Sequence, residues 1–379
     1  MNRTALLHIV ERLEGLLGKL PGAIQKPVLH ELTPLKELFL QQRLPRFLVA
    51  GAGRLPMPQI VNLLFNGETP AEPPKILSEV FRWQTLEIKN RGAIALLDAR
   101  GADDEAEDTI REELGRQSAD AILVISDAAE GRTKVKRSAE NGNQCVHWND
   151  RVHSNAGIVA IHFNPTSSTN RNGRLPRIDW FEKIKPELHG RFWGGFEFSS
   201  ENNPTVADYN ASQQFVSLLA RRLPNDCRVE IVRISNDREA QREIASVLIK
   251  STTAICTAIG AQPIPLADLP ILTTLQLVMV SGIMYLSGRP RSLRAATEFV
   301  GAMGANVGAG MLLREGARAL LKFIPGWGNV VCGMVAGAGT YAIGHAASAY
   351  FLEGVTLHEA RRTYLKGRKR KKPPMLQLR

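Results

Sequence analysis

The sequence predicts a doubly wound α/β sheet followed by an all-α domain that is apolar and rich in glycine and alanine. Short apolar runs alternate with helical patterns over residues 46–222, which is typical of a mostly parallel sheet with helices on both faces. From residue 251 onward, long stretches without charge replace that alternation and indicate helices. The chain has 379 residues, enough for two or three domains.

Composition divides the chain into five segments. They are an N-terminal helical segment (residues 1–45), the α/β domain (46–222), a connecting strand and helix (223–250), an apolar helical domain that we expect to associate with membranes (251–357), and a basic tail (358–379). Within the connecting segment, residues 228–234 are predicted as a strand and residues 237–250 as a charged helix.

The elements of the α/β domain follow from their hydrophobic periodicity. Continuous apolar runs predict buried strands, and the alternating run at residues 84–88 predicts an edge strand. The predicted strands are residues 47–50, 84–88, 93–97, 121–125 and 157–163, and the predicted helices are residues 59–65, 104–117 and 207–222.

The net charge of +11 is concentrated at one end of the sequence. Nine basic residues and no acidic residue lie between Arg361 and Arg379, so the rest of the chain is close to neutral. Such a tail can bind nucleic acid, ribosomal RNA or an anionic membrane surface. The four cysteines are far apart and the eight histidines form no ligand spacing, which argues against a zinc site and indicates a reducing compartment.

A glycine pair, Gly51 and Gly53, follows the first apolar run and precedes a helix. In a phosphate-binding loop, the pattern GxxxxGK[ST] stands at this place, and its backbone N–H groups, lysine and hydroxyl hold phosphates and magnesium. The run IVNLLF at residues 60–65 resembles the LINALF run that follows the loop in Era-like GTPases. That resemblance puts Met57 at the lysine position and Pro58 at the Ser/Thr position.

Two further motifs resemble those of the same GTPases. The residues Asp98-Ala99-Arg100-Gly101 resemble the DxxG motif, in which the aspartate contacts magnesium through water and the glycine N–H senses the γ-phosphate. Asn164 follows a later strand and resembles the first residue of the guanine-reading NKxD motif, although the lysine and aspartate are missing. Residues 196–200 stand where the SAK motif would lie.

Residues 46–222 therefore resemble an Era-like GTPase of the TRAFAC type whose phosphate-binding loop is degenerate. The resemblance implies GTP or GDP with magnesium as ligands, and it implies that Asp98 is a weak magnesium contact through water. We expect slow or absent hydrolysis, because Met57 offers no positive charge and Pro58 no hydroxyl, and no catalytic residue is assigned. The implied nucleotide-binding residues are Gly51, Gly53, Asp98, Gly101 and Asn164.

The helical region carries a second resemblance, over residues 245–357. The sequences PIPLAD at residues 263–268 and IPGWGN at residues 324–329 resemble motifs of the YcjF-type domain of unknown function, family 697. That bacterial domain occurs in membrane proteins and often follows an Era-like GTPase. The resemblance implies a membrane-associated helical domain in this chain.

Two segments are candidates for membrane spans, residues 269–288 and 323–352. Both are uncharged and about as long as the ~20 residues that a span needs. A hairpin of these segments with both chain ends in the cytoplasm would place both basic loops outside, against the positive-inside bias. A soluble or interfacial bundle of closely packed small-residue helices explains the composition as well. Integral and peripheral association therefore both stay open.

These observations favour a catalytically degenerate regulatory or scaffold protein at the cytoplasmic face of a bacterial membrane. Its basic tail would contact the anionic surface, and its α/β domain would bind nucleotide weakly or not at all. The alternative is an active GTP-binding switch with an unusual phosphate loop that acts on the ribosome or RNA through the tail. Protein partners stay open. The residues expected to contact the anionic surface are Arg368, Lys369, Arg370, Lys371 and Lys372.

Overall fold

The chain divides into two compact units. Residues Arg43–Asp237 form one unit, and residues on both sides of it form the other. We call them the sheet unit and the helical unit. The computed structural model describes residues 37, 42–52, 55–65, 81–88, 91–102, 104–127, 141–142, 144–149, 156–164, 191–199, 204–261, 268–304 and 327–362. Most of the predicted N-terminal helical segment, Gly53 and the basic stretch after residue 362 lie outside these residues.

The sheet unit contains a six-stranded sheet with the order β2-β3-β1-β4-β5-β6. Strand β2 lies at one edge and pairs antiparallel with β3, and the other neighbouring strands pair in parallel. The predicted doubly wound α/β sheet is thereby confirmed. The strands are β1 (Arg46–Ala52), β2 (Trp83–Ile88), β3 (Gly92–Asp98), β4 (Ala121–Asp127), β5 (Gly157–Asn164) and β6 (Phe192–Ser199).

Helices cover both faces of the sheet. On one face, α2 and residues 144–149 pack on the apolar side chains of β1, β3, β4 and β5, with Ile110 and Trp148 in that cluster. On the other face, aromatic rings of Phe47, Phe65 and Phe215 lie in successive contact, with centroids 6.0 and 5.7 Å apart. The helices of this unit are α1 (Met57–Phe65), α2 (Asp104–Arg116), α3 (Val206–Arg222) and α4 (Asn225–Ser235).

Two features of the sheet unit differ from the sequence-based prediction. Residues 228–234 were predicted as a strand, and this is wrong, because they lie within helix α4. Its buried residues, Cys227, Val229, Ile231, Val232 and Ile234, fit a short strand and a helix almost equally well. Packing decides for the helix, which lies so close to Gly92 of β3 that a Cβ atom there would meet the Glu230 side chain. The edge strand β6 was not predicted.

A cluster of charged residues ties the start of β1 to its surroundings. The Nη1 and Nη2 atoms of Arg43 donate to the two carboxylate oxygens of Asp120 at 2.6 Å, and Nε donates to Asp226 Oδ2 at 2.6 Å. Asp120 also accepts from the Arg46 backbone N–H at 2.9 Å. Burial by itself would lower the pKa of Arg43, but the hydrogen bond and charges of the carboxylates raise it, so the guanidinium stays charged. The cluster joins the starts of β1 and β4 to α4.

The helical unit consists of long helices that pack through small residues. Glycines of α8 face α5, and a Cβ atom at Gly344 would lie 2.7 Å from Ile249, so glycine permits the close approach. The segment predicted as a connection over residues 223–250 is divided instead, since α4 belongs to the sheet unit and α5 to the helical unit. The helices are α5 (Arg238–Gly260), α6 (Asp268–Leu286), α7 (Leu293–Gly304) and α8 (Trp327–Leu352).

Among the described residues, one helix is long and apolar enough to cross a membrane. It is α5, with a mean hydropathy of 1.2 in its most apolar window, and 56% of that window is buried inside the structure. The core helix of a soluble protein can meet the same criterion, so length and composition are weak support for a span. The spans considered from the sequence, residues 269–288 and 323–352, correspond to α6 and α8 instead.

We predict that Arg43→Ala lowers the free energy of unfolding of the sheet unit by about 3 kcal/mol. The substitution leaves Asp120, whose side chain is 6% exposed, as a buried carboxylate without its arginine partner. The measurement is urea unfolding of the full-length protein followed by tryptophan fluorescence. Arg111→Ala is the matched control, since its pair with Glu107 is partly exposed and contributes only about 0.5 kcal/mol. Equal effects of the two substitutions would contradict the prediction.

Candidate nucleotide-binding site

The predicted site residues lie at the carboxyl ends of parallel strands. Gly51 is near the end of β1 and Asp98 is the last residue of β3, and the two strands are neighbours with Val49 opposite Asp98. Asn164 ends β5, two strands away from β1, and is paired with Ser199 at the end of β6. Ligands of doubly wound proteins bind at this edge of the sheet. The structure therefore brings Gly51 and Asp98 to adjacent strand ends, with Asn164 further along the same edge.

The glycine at position 51 is required by the packing of β1 against β4. Its φ angle is +106°, and a Cβ atom there would lie 2.1 Å from the backbone oxygen of Ile125. Its N–H donates to the Asn141 side-chain oxygen at 2.7 Å. The close approach of two strands thus explains why residue 51 is a glycine, and no phosphate needs to be invoked. The Gly51 N–H is already hydrogen-bonded to Asn141.

Asp98 is held by an arginine of its own motif. The Nε and Nη2 atoms of Arg100 donate to the two carboxylate oxygens of Asp98, each at 2.9 Å. The Nη1 atom of the same guanidinium donates to the backbone oxygen of Leu55 at 2.9 Å. Arg100 is largely buried, with 11% of its side chain exposed. The arginine therefore neutralises Asp98 and joins it to the segment that precedes α1.

The residue at the lysine position of the loop points into the core. Met57 is the first residue of α1 and is 4% exposed. Pro56 immediately precedes the helix, and its carbonyl accepts from the Ile60 N–H at 3.1 Å. A buried thioether in the first turn cannot contact a phosphate outside the helix. Compared with a lysine, Met57 therefore lacks the positive charge and does not extend toward a phosphate.

The residues present do not fit a magnesium ion. Magnesium requires oxygen ligands in a near-octahedral arrangement. Both oxygens of Asp98 already accept from Arg100, and Pro58 supplies no hydroxyl. Within the part of the chain that the structure describes, no group of three or more His, Cys, Asp or Glu side chains could hold a metal. The magnesium contact that the resemblance implies for Asp98 is therefore not supported by its surroundings.

The far end of the site has a buried amide and a carboxylate that joins β6 to α3. Asn164 is 7% exposed, and its Nδ2 atom has no hydrogen-bond partner among the described residues. The carboxylate of Asp208 accepts from the Ser199 N–H at 2.6 Å and from the Thr205 N–H at 2.7 Å, which ties the end of β6 to the start of α3.

Sequence reasoning missed three of these residues. Asp208 could have been found, because Thr205 and Asp208 have the spacing of a capping box, and the structure shows that box at the start of α3. Arg100 was recorded only as a variable position of the DxxG motif. Asn141 had no signal, because its contact with Gly51 joins residues 90 positions apart in the sequence.

Two further candidate nucleophiles of the sheet unit, Cys145 and Ser126, are buried. Burial raises the pKa of Cys145 to about 12, so its thiol stays protonated at neutral pH. Ser126 and His162 lie opposite each other on β4 and β5, with Oγ and Nδ1 3.3 Å apart, but they are 1% and 4% exposed. A substrate cannot reach such a pair, and we assign it to the core.

The fold and site place the sheet unit in a recognisable class. Its mixed, mostly parallel six-stranded sheet is like that of P-loop GTPases, and it is followed by a helical region. Met57 and Pro58 stand where the resemblance puts the lysine and the hydroxyl of that class.

Comparisons with known proteins give distant similarities. The chain is 31% identical over 118 residues to magnetosome membrane protein 22 of Magnetospirillum gryphiswaldense, a match that covers 29% of this chain and 59% of that protein. The chain thus matches less than two thirds of the relative's length. No family model matches, so the YcjF-type resemblance of the helical unit stays a prediction.

A solved structure of Era is also similar. The structure is Era in complex with MgGDPNP and nucleotides 1506–1542 of 16S ribosomal RNA, with 15% identity and a TM-score of 0.31. The similarity covers 57% of this chain and 68% of that one. The description of the fold depends on the strand order itself.

We predict that Gly51→Ala destabilises the sheet unit far more than Gly101→Ala. The new Cβ atom at position 51 would overlap the Ile125 backbone, which costs at least ~3 kcal/mol. At Gly101 the φ angle is +69° and no atom lies within 4 Å of the added Cβ, so only about 1 kcal/mol of backbone strain is expected. Urea unfolding of both variants measures the difference. Comparable stabilities of the two variants would show that Gly51 is kept for another reason.

Proposed function

We propose that this protein is a GTPase-related scaffold or regulatory protein that associates with a membrane and does not hydrolyse nucleotide. The observation that carries this proposal is the pair of hydrogen bonds from Arg100 to both oxygens of Asp98. In an active GTPase, the corresponding aspartate must be free to contact hydrated magnesium. Here the chain itself supplies the positive charge at that place.

Phosphoryl transfer depends mainly on positioning and on electrostatic stabilisation by magnesium, lysine and backbone donors. Met57 and Pro58 remove the lysine and the magnesium hydroxyl, and Arg100 occupies the aspartate. Each of these changes by itself would weaken stabilisation of the transition state. Together they favour a protein without turnover.

Arg100 also limits switching. In GTPases, the loops next to the nucleotide change conformation because the γ-phosphate and its magnesium leave after hydrolysis. The guanidinium of Arg100 holds Leu55 and Asp98 together and cannot leave, because it is covalently part of the chain. We therefore expect one persistent conformation of this edge, which suits a scaffold better than a cycling switch.

Weak nucleotide binding is compatible with this proposal. The buried amide nitrogen of Asn164, which the resemblance would place beside guanine, has no partner among the described residues. Gly101 is exposed and follows the Arg100 turn. Any GTP or GDP that binds here would do so without magnesium, since Arg100 already neutralises Asp98 and Pro58 supplies no hydroxyl for the ion.

Three observations support the membrane part of the proposal. The relative from Magnetospirillum gryphiswaldense is named a membrane protein. Helix α5 has the length and hydropathy of a membrane helix. The sequence after Arg362 is strongly basic, which suits an anionic lipid surface.

We predict no magnesium-dependent GTP turnover by the full-length protein. The measurement is phosphate release with and without magnesium, together with calorimetric titration of GTP and GDP. We expect any binding to be equal in both conditions, because Arg100 rather than magnesium neutralises Asp98. Turnover that requires magnesium would overturn the proposal and support the alternative of an active switch.

Two variants distinguish the effect of the loop residues from the effect of Arg100. Pro56→Gly, Met57→Lys and Pro58→Ser together restore the lysine and hydroxyl, and we expect binding that is stronger but still independent of magnesium. Adding Arg100→Ala to this triple variant frees Asp98 and should make the binding magnesium-dependent. Arg111→Ala in the same background is the control and should leave the binding independent of magnesium.

We also predict that a protein ending at Ala360 binds anionic vesicles more weakly than the full-length chain. Each basic residue near an anionic surface contributes about 1 kcal/mol, within a Debye length of ~8 Å. Neutral vesicles should show little difference between the two proteins. Vesicle flotation measures the binding, and competition with mixed RNA at equal salt tests the alternative. A clear preference of the full-length protein for RNA would reject membrane recruitment as the role of the tail.

A further inference from the structure

The direction of the long helices in the helical unit determines where its charges lie. In α8, Gly344 lies against Ile249 of α5, and the earlier residue Gly337 lies against the later residue Thr257. The two helices are therefore antiparallel. The start of α5 and the end of α8 lie at the same end of the unit, where Arg242 and Glu353 form an ion pair of 3.3 Å.

Helices α6 and α8 are parallel. Gln276 Nε2 donates to Thr340 Oγ1 at 2.9 Å, and one turn further along both helices Met279 lies against Gly344. The ends of both helices therefore lie beside the start of α5. A hairpin of these two segments, as considered from the sequence, would have required them to be antiparallel.

Charged residues are concentrated at this end. In α5 they all occur within residues 238–250, and residues 251–260 carry none. The turn after α6 and the start of α7 add three arginines and Glu298. We call residues 238–250, 287–298 and 353–362 the charged end.

The opposite part of the unit has a different surface. We call residues 251–260, 272–279 and 333–343 the uncharged half, since none of them is charged. Beyond them at this end, the described helices carry one charged residue, Asp268, which is the first residue of α6. Ala254, Thr273 and Met334 are exposed there, Met334 to 43%. A helix that faces water normally carries charged residues on its exposed side. The described surface of the uncharged half lacks them on all three helices.

Aromatic rings and arginines meet at the charged end. The guanidinium of Arg289 lies 5.8 Å from the ring centre of Tyr350 and 5.2 Å from that of Phe351. The guanidinium of Arg291 lies 4.3 Å from the ring centre of Tyr285. Tyrosine and arginine side chains are typical of the level of lipid headgroups, where an apolar body meets a polar tip.

We propose that the uncharged half inserts into one leaflet of an anionic membrane, with the charged end at the headgroups. This inference rests on the membrane association proposed above and adds its depth and orientation. Lys250 is exposed and is the last charge of α5. The ten residues that follow it extend about 15 Å, which is half of the ~30 Å hydrocarbon thickness. The unit would therefore enter the membrane without spanning it.

The orientation agrees with the distribution of positive charge. The arginines at 289, 291 and 294 lie at the same end as the start of α5. The chain leaves α8 at this end as well and continues into the basic sequence after residue 362. Basic residues at one end and an uncharged surface at the other complement the two layers of a leaflet.

The test places a lysine at either end of the unit and measures flotation with phosphatidylcholine–phosphatidylserine vesicles. Thr273 and Thr297 are both exposed, one in the uncharged half and one at the charged end. We expect Thr273→Lys to weaken binding about tenfold or more, because a charge would enter hydrocarbon. Thr297→Lys adds the same charge at headgroup level and should bind at least as well as the unmodified protein. Equal binding of the two variants would overturn the proposal.

Two further measurements make the result decisive. Circular dichroism checks that Thr273→Lys folds, and Ala254→Lys on α5 replaces it if it does not. Thr273→Cys should not react with an impermeant maleimide trapped inside the vesicles, measured against the labelling of the unmodified protein. Labelling from inside would show a span and overturn the single-leaflet proposal.

The outcomes separate this inference from the proposed function. If the full-length protein does not float with the vesicles at all, membrane association itself fails, and this inference fails with it. If it floats and Thr273→Lys floats equally well, association stands through the tail and only the insertion is rejected.

Discussion

The ion pair between Arg100 and Asp98 determines the character of the candidate site. It neutralises the one motif aspartate that the sequence retains, and through Leu55 it holds the start of α1 against the end of β3. A magnesium ion and this guanidinium would each place positive charge beside the same carboxylate, but only the ion can be released from the protein. The charge of Asp98 is therefore balanced within the chain. Gly51 is explained by the packing of β1 against β4 and needs neither a phosphate nor the lysine.

A similar pairing of an arginine with a carboxylate occurs at the opposite side of the sheet, where the amino ends of the parallel strands lie. Asp120 precedes β4 and is neutralised by Arg43, which precedes β1. In both places a carboxylate next to a central strand is paired with an arginine. Leaving Asp120 unpaired would be the more costly, because its side chain is 6% exposed against 27% for Asp98, and burial penalises a charge without a partner. The central strands are thus held at both ends by ion pairs in addition to their apolar contacts.

The helical unit follows a different rule, in which small residues replace charge as the means of close packing. Gly337 and Gly344 allow α8 to approach α5, and Thr340 bonds to Gln276 of α6 inside the bundle. Packing of this kind does not depend on water, so it is compatible with an aqueous or a lipid environment. The choice of environment is then made by the outer surface, where the charges of the described helices are concentrated at one end and Asp268 is the one at the other.

The sequence by itself determined the parallel sheet and the replacement of the lysine and the hydroxyl at the expected loop positions. Continuous apolar runs specify buried parallel strands, and Met57 and Pro58 can be read directly. The residues 228–234 could not be assigned, because a short apolar run fits two periods until packing against β3 selects the helix. The partners of Arg100 were equally hidden, since the pairing of β1 with β3 brings Leu55 to it across 45 positions. The parallel direction of α6 and α8 was also decided only by tertiary contacts, because an apolar pattern records which residues are buried and not which way the helix runs.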